Sequence, residues 1–203
     1  MAVFLFSLLV AITIHEYAHA WAAYRCGDPT AKHMGRLTLN PIAHLDLMGT
    51  IFLPLVGFGW GKPVPTNPNN YSQRKDEIKV ALAGILANLL LAFILAIPLR
   101  IATIKGILID SNIWLNMLSI VVDINIILAA FNILPIYPLD GSHVAEYFMN
   151  EETKSTFHQY SPYVLLFILI IDQMTNTSIL YTIMEPIIRI FSMIIKGTFS
   201  FFL

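Results

Sequence analysis

Three long apolar runs restrict what this chain of 203 residues can become. They are Val3 to Ala23, Lys79 to about Ile104, and Ile113 to Leu134. Each matches the roughly 20 residues that a helix needs to cross the ~30 Å hydrocarbon core of a bilayer. In lipid, every backbone N–H and C=O must find its partner inside the protein, so spanning segments are helical unless they close into a barrel. The apolar share of 57% and charged share of 12% depart from the about 45–50% and about 25% of soluble domains. Mean hydropathy is +0.69. The expected fold is an all-α multi-pass membrane bundle of about four to six spans, a single domain over residues 1–203 in contact with the lipid bilayer.

The remaining composition excludes more than it suggests. A net charge of −1 leaves no nucleic-acid footprint. The single cysteine, Cys26, allows no intrachain disulfide. The first run lacks a basic leader and carries the candidate site, so it reads as a span rather than a cleavable signal.

Between the spans the pattern changes. Gly27-Asp28-Pro29 ends the first helix. Leu37-Thr38-Leu39 has the form of a short strand. Ile42 to Trp60 is apolar, yet it holds His44, Asp46, Gly49, Pro54, Gly57 and Gly59. Such a segment makes a poor regular helix, and irregular backbone at membrane depth must be shielded by protein. A short β-hairpin or re-entrant segment near residues 37–66 is therefore expected. Gly61-Lys62-Pro63-Val64-Pro65 should run extended. A shorter helix should follow Asp140 to about Met149. Tyr163–Ile171 and Ile179–Ile195 are expected to supply two more spans, either of them partial.

Loop charge indicates orientation. With the N-terminus outside, the first interior loop carries Arg25, Lys32, Arg36, Lys62, Arg74, Lys75 and Lys79, and the next exterior loop only Arg100 and Lys105. The positive-inside rule favours this arrangement. It sets the C-terminal end of the first span and the residues after the third span at the same, cytoplasmic side.

Those two places hold the residues with chemical potential. His15-Glu16-Tyr17-Ala18-His19 has the form H-E-x-x-H. Histidines four apart share one helix face and can bind one zinc ion. The intervening Glu can act as base toward a water whose pKa the metal lowers to roughly 7. Ionisable groups within a span are costly and point to function. The plain alternative is helix-packing polar residues paired with one another. Hydrolytic zinc usually has three protein ligands plus water. Asp123, Asp140, His44 and His143 are the candidates for the third. Asp140 fits best, since Pro135 and Pro138 stiffen its approach and Gly141 permits a sharp turn after it. An N-cap for the next helix is its alternative role.

Asn132-Ile133-Leu134-Pro135-Ile136-Tyr137-Pro138-Leu139-Asp140-Gly141, downstream of an intramembrane H-E-x-x-H, resembles the signature of the site-2 proteases, the M50-type intramembrane zinc metalloproteases. Gly84 to Asn88 resembles that family's G-x-x-x-N element, Gly61 to Pro65 is a further matching feature, and the stretch from Gly27 to Asp46 resembles its compact bacterial and archaeal members. The likeness covers about residues 8–145. It implies one Zn2+ per chain held by His15, His19 and Asp140, with Glu16 as general base and later proton donor. It implies a membrane-protein substrate with a transmembrane segment, and a bacterial or archaeal cytoplasmic membrane. It places Asn88 and Asn132 near the substrate or the oxyanion, with interhelical bonding as the alternative for both. No PDZ or CBS domain is expected within this length.

His44 is a third candidate contact for the substrate or the transition state, with a loop-fixing role as its alternative. His143 is read as supporting the site or lying at the surface, His158 as solvent-facing, and Asp123 as a structural hydrogen-bonder. A metal transporter would also place His and Asp in spans, but would not need Glu16. A non-proteolytic relative that binds membrane helices is the other alternative.

Overall fold

The computed structural model describes residues 2–56, 59–109, 112–175 and 177–197. Gly57, within the expected re-entrant segment, lies outside them. Eight α-helices occur among the described residues: α1 (Ala2–Arg25), α2 (Thr30–His33), α3 (Leu47–Val56), α4 (Asp76–Ile104), α5 (Ile113–Asn132), α6 (Asp140–Glu146), α7 (Glu151–Thr175) and α8 (Ile179–Lys196). Helices α1, α4 and α5 are each long and apolar enough to cross a membrane, and α7 with α8 together qualify as one bent span. The count among the described residues is thus three or four, at or below the lower bound of the four to six expected. Residues 163–171 belong to one continuous helix that begins in the charged stretch at Glu151.

The helices pack around α4, which contacts α1, α5, α6 and α8. Small residues permit this. On α1, Ser7, Ala11, His15, His19 and Ala23 recur every fourth position and are all buried, forming one face. On α4, Ala81, Gly84, Ala92 and Ala96 are buried. Without a hydrophobic drive between helices in lipid, such residues gain their stability from close backbone approach. A larger core joins Ala92, Ala96 and Leu99 of α4 to Val122, Ile126 and Ala130 of α5, Leu165 of α7, and Met184, Ile188 and Ile195 of α8. The outward face of α4 exposes Leu86, Leu90, Phe93, Ile94 and Ile97, as a lipid-facing surface requires.

Helix ends follow the sequence. After Arg25 the chain turns at Gly27, whose φ of +104° favours glycine. Asn112 caps α5, its side-chain oxygen accepting from the N–H of Trp114 and of Leu115 at 3.0 and 3.3 Å. Gly197, at φ +76°, ends α8.

The β-hairpin expectation near residues 37–66 is overturned. No strand occurs among the described residues, and Leu37-Thr38-Leu39 is not one. A single antiparallel bridge pairs Leu45 with Gly61. The chain departs into the ten-residue α3 and returns beside its point of departure. Gly49 is in backbone contact with Trp60 across this excursion, and any side chain there would collide with it. Pro54 is tolerated inside α3. Glycine and proline here serve close packing of a short helix against its return segment, which alternation rules for strands cannot detect.

Candidate metal centre

Helix α1 brings His15 and His19 one turn apart, facing α4. Asp140 arrives at the first turn of α6, with Leu139, not Asp140, at the capping position. His15 Nε2 and His19 Nε2 are 3.0 Å apart. Asp140 Oδ2 is 3.1 Å from each of them. Both histidines are buried and Asp140 is half-buried. Asp123, His44 and His143, the other candidates for the third ligand, are absent from this triangle.

The triangle suits a cation. His15 Nδ1 lies 2.7 Å from Asn88 Oδ1, and His19 Nδ1 lies 2.8 Å from the Val80 carbonyl oxygen. Both partners only accept, so each Nδ1 carries the proton and each neutral ring turns its Nε2 lone pair inward. Two lone pairs and a carboxylate oxygen then face one another with no donor between them. Ligands at about 2.0–2.1 Å around a tetrahedral zinc stand about 3.3–3.4 Å apart, close to what is observed. Hydrogen bonds from the outer ring nitrogen to a fixed acceptor are the usual device for orienting metal-binding histidines.

Gly84 completes the wall. A Cβ there would overlap both imidazoles, so α4 can approach the centre this closely only at a glycine. Asn88, one turn on, is fully buried and fully used. Its amide donates to Ala11 O at 3.0 Å and to Asn125 Oδ1 at 2.8 Å. The structure therefore sets Asn88 behind His15. Asn125 in turn donates to Val121 O at 2.8 Å. Its part in the chain was not visible in the sequence, where it is one of several polar residues in a span.

Glu16 is half-buried, and its Oε2 accepts the backbone N–H of Val64 at 2.8 Å. Glu16 and the three candidate ligands line one cavity of about 1200 Å3. Its walls include Gly61, Pro63, Val64 and Thr66 on one side of the chain, Asn132 of α5, and apolar Ile12, Leu165, Met184 and Ile188. Asn132 reaches this cavity while its amide donates to Leu128 O at 3.0 Å. His44 is fully buried and does not line the cavity. Its Nε2 meets Thr38 O at 2.8 Å, a loop contact.

His158 is partly exposed, as expected, and places Nε2 2.8 Å from Glu146 Oε1 while stacking on Tyr137 with ring centroids 4.5 Å apart. His143 is exposed, with Nδ1 3.6 Å from Glu146 Oε2. Asp123 finds a partner that no local pattern signals: Lys196 Nζ of α8 lies 2.8 Å from its Oδ1, with both side chains buried.

Comparison with known proteins gives the family. The model of peptidase family M50 matches residues 3–104 and 95–171. The protein named "Putative zinc metalloprotease YwhC" of Bacillus subtilis (strain 168) is 35% identical over 199 residues, which cover 94% of this chain and 91% of that one. Two proteins named "Putative zinc metalloprotease Rip2" are more distant. That of Mycolicibacterium smegmatis is 28% identical over 72% of this chain and 57% of its own. That of Mycobacterium tuberculosis (strain H37Rv) is 27% identical over 80% of this chain and 63% of its own. No solved structure gives a significant match. With its apolar helices and its triangle of two histidines and an aspartate, the chain belongs to peptidase family M50, the zinc-dependent site-2 protease family of integral membrane proteins.

Proposed function

We propose that this protein is an intramembrane zinc metalloprotease that hydrolyses peptide bonds within or near transmembrane segments of membrane-protein substrates. The observation that carries the reading is the convergence of His15, His19 and Asp140 in one cavity with Glu16. His15, His19 and Asp140 would hold the ion, which supplies Lewis acidity toward water and the scissile carbonyl.

The chain's own residues do the rest. Glu16 has Oε2 committed to Val64 N–H, so Oε1 is the atom that takes a proton from the attacking water and returns it to the leaving amine. Asn88 keeps His15 in the tautomer with Nε2 unprotonated. Asn132, on the cavity wall, is the residue proposed to contact the substrate. A transmembrane helix hides its carbonyls in its own hydrogen bonds, so a cleavable segment has to be unwound. Residues 61–66 supply wall residues to the cavity, and the extended substrate is proposed to lie along them by β-addition. Residues 37–39 line no part of the cavity.

The test pairs metal content with cleavage of a generic transmembrane peptide, for the wild type and Glu16→Gln. The expected result is about one zinc per chain in both, with cutting by the wild type alone. Zinc-loaded wild type that cuts no transmembrane peptide would instead favour a relative that binds membrane helices. Wild type without stoichiometric metal would overturn the site.

A further inference from the structure

We infer that Arg36 is a positioning residue for Glu16, acting at a distance through the backbone of residues 62–64. This deepens the proteolytic reading and rests on it. Arg36 lies between α2 and the 3₁₀ turn Pro41–His44 and is buried. A buried guanidinium needs a purpose, since desolvating it is costly unless its donors are used. Its Nη1 donates to Pro63 O at 3.0 Å and its Nη2 to Lys62 O at 2.6 Å. These are the two carbonyls immediately before Val64, whose N–H is the donor to Glu16 Oε2 at 2.8 Å. The planar fork thus grips two successive peptide groups, and the second of them, Pro63 C=O with Val64 N–H, is the plane that carries the donor to Glu16.

Nη2 has a second contact, with His44, while Nε is buried without a hydrogen-bond partner among the described residues. His44 Nδ1 lies 3.4 Å from Arg36 Nη2. His44 Nε2 meets Thr38 O at 2.8 Å, so that nitrogen carries the ring proton and Nδ1 is the acceptor. His44 O in turn accepts Lys62 N–H at 2.9 Å. Thr38, His44, Arg36 and the 62–64 backbone therefore form one hydrogen-bonded frame, and Glu16 hangs from its end. Glu16 lies on α1 and could swing on its own χ angles. The frame denies it that freedom, keeping Oε1 turned to the cavity. Lysine cannot replace arginine here, because a single ammonium cannot present two coplanar N–H groups to two carbonyls.

The experiment uses the full-length chain in detergent, with zinc content, kcat and KM measured on a transmembrane peptide for wild type, Arg36→Lys, Val64→Pro and the double variant. Val64→Pro removes the N–H that reaches Glu16 while leaving Arg36 in place. The expected result is zinc retained at the wild-type level throughout, kcat lowered about 10- to 100-fold in each single variant, and KM within about twofold. The double variant should be no slower than Val64→Pro alone, because the arginine works through that N–H. Wild-type kcat in either single variant overturns the inference. So does a raised KM at unchanged kcat, which would make residues 62–64 a substrate edge only. Multiplicative losses in the double variant also overturn it. Should Arg36→Lys fail to fold, seen as lost zinc and aggregated elution, Arg36→Gln takes its place in the same comparison, alone and with Val64→Pro. If the wild type itself does not cut, the proteolytic reading fails and this inference with it; a cutting wild type isolates the question to Arg36.

Discussion

Asn88 shows how much a single side chain can carry. Its oxygen accepts the hydrogen bond from His15 Nδ1–H and its amide ties α1 to α5. Asn88→Ala frees the His15 ring to turn and strands a buried donor. It should weaken zinc binding about 10- to 100-fold, measured by competition with a graded chelator, while the helices persist by circular dichroism. Gly84→Ala acts on the same centre by volume. Its methyl would fall on both imidazoles, so stoichiometric zinc should be lost although the substitution adds helix propensity. The sequence named His15, Glu16, His19 and Asp140 because ligand chemistry forces particular residue types at particular spacings. It could not name Val80 O or Val64 N–H, which also orient the site, because every residue has a backbone. Nor could it tell the role of Arg36, which in sequence is one of seven positive charges in a loop.

Elements are held by polar knots at two places. Asp28, fully buried after α1, accepts from Asn67 N–H at 2.7 Å, from Asn70 Nδ2 at 2.9 Å, and from the N–H and hydroxyl of Thr30. It thereby binds the first connection to the loop before α4. Burial pushes its carboxyl up, but the bonds from Asn70, Thr30 and Asn67 outweigh this and hold it below the usual range. A depressed folded-state pKa stabilises fully above the unfolded value of about 3.9. That contribution is lost as pH falls through the folded value. Asp28→Asn should therefore be less stable than the wild type near neutrality. The gap should close on acidification below about pH 4, as read from thermal unfolding across a pH series.

The second knot is Asp123 with Lys196, joining α5 to α8. Lys196→Met leaves a buried carboxylate and should cost about 3–5 kcal/mol, whereas Asp123→Leu together with Lys196→Met should recover most of it. Detergent-phase thermal shifts of the three variants would check this. The partners stand 73 positions apart, so no local pattern announces them. The spans α1, α4 and α5 were legible because lipid imposes length and apolarity on every spanning helix. Residues 37–66 were not, since short apolar runs rich in glycine and proline suit a strand, a hairpin or a ten-residue helix.

At the scale of the whole molecule, loop charge makes orientation testable. In a background with Cys26 replaced, a cysteine at Lys105 should react with an impermeant maleimide added outside intact cells, and one at Arg74 only after lysis. The reverse pattern would place the metal centre toward the outer face.

The metal triangle also has a history in time. His19 and Asp140 are 121 positions apart, and a ribosome adds about 5–20 residues per second. After the two histidines are made, roughly 6–24 s pass before their carboxylate partner exists. During that interval α1 can sit in the bilayer with two inward lone pairs and no third ligand. The candidate metal triangle is therefore incomplete until residue 140 of the 203 has been made.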